Sequence, residues 1–201
     1  MDEPAYLRNL RELGNSDPKE EHLAALEREL YASGSDRATA VMFGAFVEVH
    51  LERLIRKQLR EDLNTDARRL LFGTGGALST FALKTVMAFA LKLIGPDTYF
   101  DLRLIRFLRN QFAHARVPLN FKTPEVRAVC EQFRLVDLKN THIPFGYLNR
   151  VSNGELEAAT DKNDSKTRYI STCHTISYRM IVSRDGPKAG DMVFVEGQIL
   201  P

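Results

Sequence analysis

From Arg37 to about Leu63 the apolar residues Val41, Met42, Ala45, Phe46, Val49, Leu54, Ile55 and Leu59 recur at intervals of three and four. This repeat places side chains along one side of an α-helix. The stripe is too wide for a helix that merely rests on a surface. Such a segment needs neighbours on several sides, so a helical bundle is expected with this helix at its centre. Upstream, Ser33-Gly34-Ser35 breaks the chain, and Ser35 or Asp36 can supply the N-cap.

The remaining punctuation is also helical. Leu7, Leu10 and Leu13 predict a first helix over 4–13 that stops at Gly14-Asn15. Asp17, Pro18, Glu20 and Glu21 predict a second helix running to about Tyr31. After the Gly73-Thr74-Gly75-Gly76 turn, Ser79 or Thr80 opens a helix that ends at Gly95-Pro96, and Asp97 opens another running to about Ala115. Pro118 disfavours helical geometry at the residue before it, so that helix stops upstream. Pro124-Glu125 begins a shorter helix to about Phe133. The polar stretch 149–166 reads as a surface loop. Tyr169, Cys173, Ile176 and Met180 keep a helical spacing and predict a C-terminal helix, although the run's many β-branched residues would also suit a strand. Residues 192–200 read as a short strand or an extended tail, within a tail over 186–201. The expected class is all-α, a single helical domain over 1–201.

Composition narrows the function classes. Two hundred and one residues, 44% hydrophobic, suffice for a core without disulfide or metal staples. Twenty-eight Lys+Arg against 26 Asp+Glu leave +2, so bulk charge does not announce a nucleic-acid binder and any polyanion site must come from local clustering. The cysteines, Cys130 and Cys173, form no Cys-x-x-Cys unit, which fits a reducing compartment. No signal-peptide pattern opens the chain and no run approaches the ~18 apolar residues of a membrane span. A cytoplasmic protein with no membrane association is expected.

Several constellations read as ordinary structure. The glycine-rich segment lacks the Lys-Ser/Thr of a P-loop, and no strand precedes it, so a helix-linking turn is the better reading than a phosphate cradle. His22, His50, His114, His142 and His174 show no metal-ligand spacing, and neither metal nor cofactor is expected. No nucleophile elbow accompanies the serines or cysteines.

The segment Asp101 to Arg116 stands apart. At about 100° per residue, Asp101, Ile105, Leu108 and Phe112 fall on one face, with Leu104 at its edge, and should enter the core. Opposite them, Arg103, Phe107, Asn110 and His114 gather within about 60°, flanked by Arg106. Arg109 lies nearer the core edge, about 140° from His114. In one reading it pairs with a carboxylate such as Glu48, set within the apolar run Phe46-Val47-Glu48-Val49. In the other, a two-fold contact brings the arginines and histidines of two subunits to one cleft.

Arg109-Asn110-Gln111-Phe112-Ala113-His114 resembles the Arg-Asn-x-x-x-His signature of HEPN-type helical proteins, in the form found in the mannitol operon repressor family. Asp36-Arg37-Ala38, Glu48, Leu78 to Lys84, Leu93-Ile94 and Thr123-Pro124-Glu125 are similar to that family in order and spacing. The likeness covers about residues 30–135. It implies a HEPN-like dimeric bundle and two activities. The mannitol-repressor-like branch implies transcriptional regulation; the chain offers no recognition helix, so sequence-specific DNA binding is not favoured and a regulatory protein or RNA partner is expected. Many HEPN-type proteins are instead metal-independent ribonucleases. For them the resemblance implies His114 as general acid or base, Arg109 as stabiliser of phosphorane charge, and Asn110 orienting either. Arg103, Arg106, Phe107 and Arg116 would serve as interface or nucleic-acid contacts. Toxin-like members often carry a tyrosine two residues beyond the histidine, where this chain has Arg116. A third reading is an interaction module in which the same residues only clamp helices together.

Overall fold

A computed structural model of the chain describes residues 4–6, 9, 10, 34–135 and 164–182. The chain divides into two compact units, Met1–Ser33 and Gly34–Pro201. In the first, Ala5, Tyr6, Asn9 and Leu10 are helical. The expected helix over 18–31, nearly all of the loop at 149–166 and the tail lie outside the described residues. The second unit holds six described helices, with no strand among the described residues: α1 (Asp36–Arg56), α2 (Thr65–Phe72), α3 (Phe81–Ala90), α4 (Pro96–His114), α5 (Pro124–Cys130) and α6 (Ser165–Val182). The all-helical class expected from the sequence is observed.

Helix α1 packs against α3, α4 and α6, the central place its wide stripe demands. Its deepest residues are Ala40, Phe43, Val47, Leu51 and Ile55, while Val41, Met42, Ala45 and Val49 are only half-buried. It stops at Arg56, short of Leu63. Past it the Gln58 N–H donates to the Ile55 carbonyl and the Leu59 N–H to the Arg56 carbonyl, tighter three-residue turns that end the helix, and Asn64, whose side chain accepts from the Ala67 N–H at 2.8 Å, starts α2 as a separate helix.

Helix α3 ends at Ala90, ahead of the expected Gly95-Pro96. Lys92 adopts a left-handed φ of 59°. The Lys92 N–H then donates to the Phe89 carbonyl at 3.0 Å and the Leu93 N–H to the Ala88 carbonyl at 2.9 Å. This is the paired bonding of a Schellman stop, with lysine where glycine is usual. It turns Leu93 and Ile94 into the core, and Pro96 at the first position of α4 restarts the helix.

Helix α4 buries Asp101, Leu102, Ile105, Leu108 and Phe112, so the face assigned from the sequence is the buried one. The Asp101 carboxylate accepts from the Arg134 N–H at 3.0 Å and the Leu135 N–H at 2.9 Å. Burial pushes its pKa up to about 6, against the lowering effect of those backbone bonds. Helix α5 ends at Cys130, three residues early, in a turn that still buries Phe133 and Leu135.

The run from Tyr169 to Met180 is helix rather than strand, and Tyr169, Cys173, Ile176 and Met180 are all buried. Ser165 and Lys166, assigned to the loop by composition, belong to this helix because Asp164 accepts from the Thr167 N–H at 2.8 Å. Helix α6 runs parallel to α1. Lys166 pairs with Asp36 at 2.9 Å, the Tyr169 hydroxyl donates to the Ala40 carbonyl at 2.7 Å, and the Phe43 and His174 rings meet edge to face at 5.3 Å. Arg168, nearly buried, donates to the carbonyls of Cys130 and Phe133, both at 3.0 Å, fastening α6 to the end of α5.

Candidate functional site

With its apolar face in the core, α4 turns the sector of Arg103, Phe107 and His114 outward, with Asn110 and Arg106 half-buried beside it. Phe107 is 49% exposed. The Arg103 guanidinium lies 5.8 Å above the Tyr99 ring, which stacks on Phe89 of α3 at 4.5 Å. Arg116 is exposed two residues beyond His114. Arg37 donates to the Ala115 carbonyl at 3.0 Å, so a shallow groove between the starts of α1 and the segment 115–120 opens beside the end of α4. Among the described residues, no carboxylate pairs with Arg103, Arg106 or Arg116.

Arg109 points the other way, as the helical angle requires. Its stem crosses α1 at Gly44, where a Cβ would meet the Arg109 Cγ at 2.8 Å and the Tyr169 hydroxyl at 3.3 Å. Only glycine leaves room for that crossing. The guanidinium Nη2 then stands 3.7 Å from Glu48 Oε2, and Nη1 donates to Asn110 Oδ1 at 3.4 Å. The pairing of Arg109 with Glu48 is therefore present, although long. Glu48 has a closer partner: Lys84 Nζ of α3 lies 2.9 Å from its Oε1 and 2.7 Å from Glu52 Oε2, and Glu52 also binds Arg56 at 2.7 Å. The charges alternate from Arg56 through Glu52, Lys84 and Glu48 to Arg109, joining three helices.

The structure thus brings Arg109, Asn110 and Glu48 together, and separately gathers Arg103, Phe107 and His114 on the outer face. Within the chain Arg109 and His114 do not converge. Gly44 and Lys84 were not singled out from the sequence, yet each carried a signal. Gly44 is a helix-weakening residue inside the strongest helix, and Lys84 is the one charge in the apolar run Phe81–Ala90.

The other reactive groups are inward. His50 and His174 are each brought down to about 4, chiefly by burial. The Cys130 thiol is pushed up to about 12 by burial, and burial raises Cys173 as well, which leaves neither an accessible thiolate. Among the described residues, no three His, Cys, Asp or Glu side chains gather as metal ligands. No described helix is long and apolar enough to cross a membrane. Comparison with protein-family models, curated proteins and solved structures finds no match for the chain.

Proposed function

We propose that the protein is a dimeric helical regulator, of the mannitol-repressor-like HEPN kind, that acts in transcriptional control by engaging RNA or an RNA-associated regulatory protein through the outer face of α4. The observation that carries this reading is the set of Arg103, Arg106 and Arg116, unmatched by carboxylates of the described residues and grouped with the exposed Phe107 and His114. Guanidinium groups bind phosphate oxygens in pairs of charge-assisted bonds, and an aromatic ring beside them can stack on an unpaired base. Binding of single-stranded RNA, titrated over a range of salt, tests the reading. Arg103→Glu with Arg106→Glu should weaken binding across all sequences and flatten the salt slope by about one for each phosphate no longer neutralised. Wild-type protein that captures neither RNA nor a protein partner at low salt would remove it.

A second reading, a metal-independent endoribonuclease, is favoured by one feature. The Arg109 side chain keeps about a third of its surface exposed despite Glu48, so its guanidinium has donors to spare. In that reaction the 2′-hydroxyl of RNA attacks the adjacent phosphorus, His114 takes the hydroxyl proton, and Arg109 stabilises the phosphorane before the 5′-oxygen leaves. The two side chains diverge by about 140° on their helix, so the site would be completed across a two-fold axis. Incubation with mixed RNA in EDTA separates the readings. Cleavage by wild type, lost in His114→Ala and Arg109→Ala, supports the enzyme, and absence of cleavage by pure wild type excludes it.

A further inference from the structure

Helix α3 sends Phe81 and Ala88 into the core but otherwise turns its charge inward and its large apolar side chains outward. Its only charged residue, Lys84, is 6% exposed and turned inward to Glu48 and Glu52, and Thr85 is buried beside it. Leu83, Val86, Met87, Phe89 and, just past the helix, Leu91 face outward with 36–52% of their surfaces exposed. Placing an ammonium in the interior and five large apolar groups outside reverses the usual distribution. The reversal is sensible only if the outer face is covered.

We infer that the outer face of α3 is the contact through which a second copy of this chain docks. This rests on the dimer of the reading above and assigns its interface. Exposed to this degree, the five side chains present roughly 400 Å² of apolar surface, the size of patch that on a monomer is often functional. A standard interface buries about 800 Å² per partner, of which about 56–65% is apolar, or roughly 450–520 Å². The patch supplies most of that share. It is also self-complementary: the Phe81–Ala90 run offers no outward charge, so an identical face meets it without repulsion, whereas a charged partner helix would find no counter-charge there. The Phe89–Tyr99 stack carries the same surface onto α4 at Arg103, so docking through α3 sets the two cationic faces at the rim of one assembly.

The mass of the full chain in solution, measured by light scattering and sedimentation over the micromolar range, tests the assignment. Wild type should weigh two chains. Val86→Lys should weaken association by at least about tenfold with its helical circular dichroism intact, and the milder pair Leu83→Ser with Val86→Ser should do so if the lysine variant unfolds. Leu70→Lys, exposed but on α2, should leave the mass unchanged. A wild type of single-chain mass, or α3 variants that remain dimers, would overturn the proposal. So would a monomeric wild type that floats with phosphatidylserine vesicles, which would give the face to lipid. RNA capture is scored separately: RNA bound by a wild type whose α3 variants stay dimeric sinks only this assignment, and a dimer broken at α3 that never binds RNA sinks only the functional reading.

Discussion

Gly44 and Arg109 touch so closely that a methyl group on the glycine would fall 2.8 Å from the arginine Cγ and 2.9 Å from its Cβ. Both atoms belong to the root of the side chain, which α4 holds in place and which cannot swing aside as a chain end would. Gly44→Ala should therefore destabilise by about 1–3 kcal/mol, against the gain of about 1 kcal/mol that alanine brings to an open helix site. Urea denaturation of the two proteins gives the sign directly.

Lys84 lies between Glu48 and Glu52, which are one helical turn apart on α1. Lys84→Met removes the cation between two half-buried carboxylates, leaving Glu52 with Arg56 and Glu48 with only its longer contact to Arg109. A loss of about 3 kcal/mol is expected, the low end for a broken buried pair because each glutamate keeps an arginine and some contact with water. Lys84→Met combined with Glu52→Gln should recover part of it, and a double-variant cycle by denaturation measures how much.

Lys92 occupies a left-handed conformation that costs a side chain about 1–2 kcal/mol. Lys92→Gly removes that cost but gives the unfolded chain about 0.4–1 kcal/mol of added freedom. The net should be a modest stabilisation of up to about 1 kcal/mol, visible as a raised Tm.

His50 is buried against Phe46 with its Nε2 unpartnered, and burial, aided by Arg53, brings its pKa from 6.5 down to about 4. Between those values the unfolded chain binds the proton more readily than the native one, so stability should fall as pH drops from 6.5 to 4. The ceiling is about 3 kcal/mol. His174 shifts the same way, while Asp101, raised to about 6, favours the native state below 3.8 and loses that contribution as pH rises through 6. His50→Leu should flatten the acid limb of a stability–pH curve; an unchanged slope would show that His50 takes up its proton equally well in the folded and the unfolded chain.

Much of the bundle was legible because its signals are local. The α4 core face follows from 3.6-residue periodicity alone, and Pro96, Pro118 and Pro124 mark helix limits through a missing N–H and a fixed φ. The long helix was overrun because its apolar spacing continues at Leu59, past the backbone turns at Gln58 and Leu59 that end it, and the α3 stop was missed because lysine fills a glycine position. On the candidate segment, the divergence of Arg109 from His114 was readable from angle, and Glu48 was suggested as one possible partner by its place in the apolar run Phe46-Val47-Glu48-Val49. What the sequence could not carry was the third helix: nothing in one dimension says that Lys84 reaches Glu48 before Arg109 does, or that Gly44 is where α4 crosses.

Asp101 holds the backbone at residues 134 and 135, and Arg168 grips the carbonyls of Cys130 and Phe133. One buried carboxylate and one buried guanidinium thus join the turn that follows α5 to α4 on one side and to α6 on the other. Removing either would release two elements at once, so the short helix α5 and the turn after it act as the bundle's buckle.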